Sequence, residues 1–131
     1  MAVATIAGFA ELAKRATGAA SDAWTYIALG TGTGQGAGDT TLATENDASN
    51  GLQRASAAVS TVTTTESGDT AQWVKTFTSS ATVTVREAGV FNNASAGQGD
   101  MLLVGDLSPT APMVSSDTLT LTIKCQFKAA S

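Results

Sequence analysis

The stretch with the most suggestive spacing is Gly30-Thr31-Gly32-Thr33-Gly34-Gln35-Gly36-Ala37-Gly38, with a glycine at every second position. A glycine-rich loop cradles phosphate when its amides converge at the start of a helix. This one has no G-x-G-x-x-G register and no Gly-Lys-Ser/Thr ending, and no apolar-periodic helix follows it. Glycine supplies positive φ where a chain must bend, so the segment is expected to be a flexible or partner-ordered loop. Asp39, Glu45 and Asp47 are oxygen donors of the kind calcium takes, but their spacing does not match an EF-hand, and solvated loop charge is the expectation. The chain contains no histidine, which removes the commonest general base and metal ligand together with every Ser-His or Cys-His nucleophile. Its acidic residues are scattered through loops with no spacing that would pair two for glycoside hydrolysis. A non-enzyme is expected, with no catalytic residue, no cofactor and no metal site.

Other residues have structural readings. Trp24, Tyr26, Trp73, Phe77 and Phe91 could form a sugar-stacking platform, but their strand-like positions make them core anchors. Arg86 and Glu87 precede Ala88-Gly89-Val90-Phe91 at a kink between two strand-like runs. Gly89 there suggests a bulge or a close approach, and the two charges a buried or interfacial ion pair that fixes geometry. Cys125 has no partner for a disulfide and sits in an apolar-alternating strand as a small buried hydrophobe. Asn93-Ala94-Ser95 matches a glycosylation acceptor, which matters only in a secreted protein.

The elements that must position these residues follow from length and pattern. A chain of 131 residues supports one domain with a single core. With 7 Lys and Arg against 11 Asp and Glu, the net charge of -4 provides no basic surface for nucleic acid or an anionic membrane. No run approaches the ~20 apolar residues of a membrane span, and Glu11, Lys14 and Arg15 interrupt any signal-like start. A soluble protein, made and assembled in a cytoplasm, is expected.

Ile6, Phe9, Leu12 and Ala13 recur at helical spacing, Glu11 lies four residues before Arg15, and Gly18 follows as a stop, predicting a helix over Thr5 to Thr17. Its apolar stripe is narrow, so it must pack on its own domain or on a neighbour. Residues 1–18 are therefore read as a helical arm, and removing them is expected to leave the β domain folded. Residues 19–131 are read as one β domain with a long glycine-rich loop over 30–51. Strands are expected at Trp24–Leu29, Leu52–Thr64, Ala71–Thr78, Ala81–Glu87, Gly89–Asn92, Met101–Leu107 and Thr118–Phe127. In the last of these, Leu119, Leu121, Ile123, Cys125 and Phe127 share the inward face and the threonines, Lys124 and Gln126 the other. Pro109 and Pro112 argue that Ser108–Ser116 is a loop. The fold class expected is all-β, an antiparallel β-sandwich, jelly-roll or Ig-like, with one short N-terminal helix.

Several blocks, taken in order, carry a resemblance: Tyr26-Ile27-Ala28-Leu29-Gly30-Thr31-Gly32-Thr33, Asp39 to Glu45, Arg86-Glu87-Ala88-Gly89-Val90-Phe91-Asn92, Met101-Leu102-Leu103, and Ser116 to Ile123. Together they resemble small virion structural proteins of tailed bacteriophages. The resemblance implies a many-copy β-sandwich subunit of the virion, with no catalytic residues, that self-associates, a trimer first. It is compatible with a capsid decoration (cement) protein bound to the major capsid protein, with a tail or tail-fibre subunit as the alternative and a carbohydrate-binding module third. The short single-domain chain has no heptad or triple-repeat stalk, which favours decoration. The interface expected is Ile6, Phe9 and Leu12 of the helix with Gly32, Gly34, Gly36 and Gly38 of the loop, since apolar side chains anchor and glycine backbone follows a foreign surface closely.

Overall fold

The computed structural model describes residues 2–129; Met1 of the expected arm and residues 130–131 of the expected β domain lie outside the described residues. The chain is mostly β, in two antiparallel sheets, with one α-helix among the described residues. In chain order the elements are β1 (Ala2–Ala4), α1 (Ile6–Ala16), β2 (Tyr26–Gly30), β3 (Ala55–Ser56), β4 (Ala58–Val62), β5 (Thr70–Thr78), β6 (Val83–Phe91), β7 (Met101–Met113) and β8 (Thr118–Gln126). One sheet has five strands in the order β1-β7-β6-β2-β3, and the other has three in the order β4-β5-β8.

The two sheets share a core built from Ile27, Leu29, Val85, Val90 and Leu103 of the larger and Trp73 and Phe77 of the smaller. β8 behaves as its alternation predicts, with Leu119, Leu121, Ile123 and Cys125 against this core and Thr118, Thr120, Thr122 and Lys124 exposed. Phe127 departs from the expected inward set and is 50% exposed. β8 itself ends at Gln126, and Phe127 follows it with its amide still bonded to the Asp69 carbonyl at 2.9 Å. In the larger sheet Glu87–Phe91 and Met101–Val104 are buried at consecutive positions. That pattern requires cover on both faces. The second face carries its own small cluster of Ala28, Leu42, Phe91, Met101 and Val104, with Leu42 supplied by the glycine-rich segment.

Five local expectations are corrected. Leu52–Thr64 is not one strand: β3 pairs with β2, β4 pairs with β5, and Ala57 between them donates to the Thr25 carbonyl at 2.8 Å while the chain changes sheets. Ala81–Glu87 and Gly89–Asn92 are largely one strand, β6, whose register against β7 shifts between Val85 and Glu87 and again between Val90 and Phe91. Gly89 is the close approach, since a Cβ there would meet Phe91 at 3.0 Å and Leu42 and Met101 at 3.1 Å. No ion pair joins Arg86 to Glu87, because Arg86 is exposed and Glu87 is buried on the other side of the sheet. Ser108–Ser116 is not a loop; β7 runs through both prolines to Met113, with a cis Ser108–Pro109 bond. β1 pairs only with Leu103–Gly105, so the proline-bearing half of β7 has one open flank, where a missing donor is tolerated. Finally, the N-terminal segment is not a separate arm. Val3 pairs with Val104 and α1 packs on β7, so deleting this segment would strip the larger sheet of an edge strand.

Candidate interaction surface

Glu87 organises the glycine-rich segment. It is fully buried, and its Oε1 accepts from the amides of Gly32 (3.3 Å) and Thr44 (2.8 Å). Oε2 accepts from the Ala43 amide at 3.1 Å and from the Gln35 side-chain amide. A buried carboxylate is costly unless hydrogen bonded, and here donors from both limbs of one loop converge on it. A Cβ at Gly30 would overlap Glu87 Oε1 and fall 2.5 Å from the Thr44 carbonyl, so glycine is what lets the backbone reach the carboxylate. Thr31 donates to the Thr44 carbonyl at 2.9 Å, and Gly34 to Asp106 Oδ2 at 3.0 Å. The expected flexible or partner-ordered loop is thus ordered by the chain itself.

The helix is seated by its first turn. Thr5 is buried as the N-cap; its hydroxyl accepts from the Gly8 amide at 2.8 Å and donates to the Met101 carbonyl. Gly8 faces the larger sheet, where a Cβ would lie 2.8 Å from Leu102 Cα. Leu12 packs on the shared core, and the Arg15 guanidinium stacks 3.8 Å above the Trp24 ring. With Gly8, Leu12 and Arg15 turned inward, 3.6-residue periodicity turns Ile6, Phe9, Ala10 and Ala13 outward. Ile6 is 68% and Phe9 58% exposed. The Ile6 amide donates to the Ala37 carbonyl at 2.8 Å, which joins this apolar helix face to the loop tip.

The expected interface residues therefore divide. Ile6, Phe9, Gly34 and Gly38 are exposed, and Ile6 is tied to the loop tip at Ala37, beside half-buried Gly36, whose amide donates to Asp39 Oδ2 at 2.7 Å. Leu12 is half-buried and packs against the core, and Gly32 is packed against Glu87 and Ala43. The acidic trio does not converge: Asp39 closes the Gly36 turn, Glu45 is bound to Arg54, and Asp47 caps the short 3-10 turn Ala48–Asn50. Bonds from the Ser49 hydroxyl and amide hold the Asp47 carboxyl below its usual range. Among the described residues no three acidic, cysteine or histidine side chains gather as a metal site. Trp24, Trp73, Phe77 and Phe91 are core residues, and the indole N–H groups of Trp24 and Trp73 are bonded to the Asp100 and Trp24 carbonyls.

Two residues that organise this face carry no sequence motif for that role: Glu87, which reads as half of an ion pair with Arg86, and Arg54. Arg54 is buried, pairs bidentately with Glu45 at 2.8 and 3.0 Å, donates to the Asn93 and Gln98 carbonyls, and stacks 3.7 Å from Phe91. A charge beside apolar residues is the local signal each one carries, Glu87 directly after Arg86 and Arg54 between Leu52 and Ala55. No family model matches the chain, and no curated protein matches it.

Proposed function

We propose that this chain is a structural subunit of a tailed-phage virion, a capsid decoration protein that binds the head shell through the outer face of α1 and the adjoining loop tip. Its two sheets are then the layers of a β-sandwich. The observation that carries the reading is the contiguity of exposed Ile6 and Phe9 with the Gly34–Gly38 tip through the Ile6–Ala37 hydrogen bond. Exposed apolar side chains in one patch mark contact sites, and large ones serve as anchors. The ordered sequence blocks that resemble virion proteins support the same reading. A cement protein acts by adding buried interface across seams between shell subunits, so each copy contributes its binding free energy to the assembled head. The partners are the major capsid protein and neighbouring copies, with assembly in the host cytoplasm; no enzymatic role, cofactor, nucleic acid or membrane enters.

The test has two parts. In purified virions the protein should approach the abundance of the major capsid protein; a small fraction of that abundance would assign it to the tail instead. The variant I6D/F9D should fold normally and fail to decorate shells. Normal decoration by I6D/F9D would overturn the assignment of this face.

A further inference from the structure

Sheet edges in this molecule are guarded unequally. Unpaired strand edges are templates for another chain, and natural proteins blunt them by shortness, proline, bulges or charge. β1 has three residues and β3 two. β4 has five, and the free half of β7 carries Pro109 and Pro112. β8 is the outer strand of the three-stranded sheet, nine residues long, paired to β5 in unbroken register on its other side. It has no proline and a single charge, Lys124. Beside it, a cavity of about 190 Å³ opens between the sheets against Leu103, Leu107, Leu121 and Ile123, so the chain does not close over the apolar face of its own edge strand.

We infer that β8 is a self-association edge at which a second copy of this chain adds its own β8 antiparallel, joining two three-stranded sheets into one of six strands. The sequence of the strand is what selects a second copy. About a two-fold axis through Leu121, Leu119 lies opposite the other copy's Ile123, and Thr120 opposite Thr122. Apolar residues then meet apolar residues on the core side, as same-face alternation requires. Each Lys124 falls opposite Thr118 of the other copy, so the two lysines do not meet across the seam. Such a two-fold contact is isologous and makes a dimer, in contrast to the trimer implied by the resemblance. It does not depend on the virion reading.

The test uses the exposed outer-face threonines of the full chain. In this register T120K/T122K sets lysine against lysine twice, whereas T120K/T122E sets lysine against glutamate twice. Sedimentation equilibrium over a range of concentrations should give twice the mass of one chain for the wild type, one chain for T120K/T122K, and twice again for T120K/T122E, with unchanged far-UV spectra. A wild type that stays monomeric, a three-chain mass, or a T120K/T122K variant that keeps the two-chain mass would each overturn the inference. Should the lysine pair unfold the protein, amide exchange on the wild type decides. The outward amides of β8 should lose protection on dilution, and protection insensitive to dilution would rule the edge out.

Discussion

The five-stranded sheet is covered on both faces, whereas the three-stranded sheet has one covered face, one solvated face and an open edge. The difference appears in the sequence of each. β8 alternates threonine with large apolar residues, the pattern of a half-buried strand. The middle of β6 and the start of β7 read Glu-Ala-Gly-Val-Phe and Met-Leu-Leu-Val without alternation. Antiparallel sheets ordinarily leave one face wet. Here the second face is sealed by a loop that has almost no apolar content of its own beyond Leu42, so its attachment depends on polar groups instead. Polar groups led by Glu87 and the Arg54–Glu45 pair do for one sheet what a layer of side chains does for the other.

The comparison is broken most directly at Glu87. E87A would leave the amides of Gly32, Ala43 and Thr44 without their acceptor, each worth roughly 1–3 kcal/mol if it stays buried. The expected loss is about 3 kcal/mol or more in urea denaturation, with faster amide exchange over residues 31–44. A loss within about 0.5 kcal/mol, the range of ordinary surface substitutions, would mean that the loop is held by other contacts.

Paired truncations sharpen the contrast. Leu29 in β2 is fully buried, and L29A should cost about 3 kcal/mol, within the span for core leucines. Leu121 in β8 is only half-buried, and L121A should cost roughly 1–2 kcal/mol in proportion to the area it hides. Equal losses measured by the same denaturation would erase the distinction between the sheets.

The smallest effect lies in the turn that joins β4 to β5. Asp69 accepts from the amides of Glu66 and Thr64, and from the side chains of Gln126 and Thr70, and these bonds hold its carboxyl far below the ordinary value of 3.8. A carboxyl whose folded pKa is depressed contributes stability above its unfolded pKa and loses it as pH falls through the folded one. D69N should therefore melt lower than the wild type at neutral pH and converge with it in strong acid. The residue is only half-buried and lies in a surface turn, so solvent screening keeps the difference small. Parallel melting curves across the acid range would show that the turn does not depend on this charge.

How much of this was legible in the chain is clearest element by element. Periodicity and caps located α1 within a residue at each end, with Thr5 and Thr17 as its caps, and alternation located β8 and its inward leucines. Those are local signals, set by neighbours within one or two turns or along one strand. The face of α1 that turns inward was not local. Leu12 belongs to both possible stripes, and the choice fell to Gly8, whose missing side chain lets the helix lie against the Leu102 backbone.

The same holds for Glu87, whose partners at Gly32, Gln35, Ala43 and Thr44 lie 43 to 55 residues away. It holds also for the switch of sheets at Ala57, which depends on which strands lie beside it, and for the prolines of β7, admitted because β1 stops short of them. By itself, then, the sequence determined a β-rich chain with one capped helix, no histidine chemistry and a one-sided final strand. Tertiary structure alone decided which apolar residues stayed exposed, since exposure depends on what remote segment arrives to cover a face, and a buried carboxylate here is what brings that segment in.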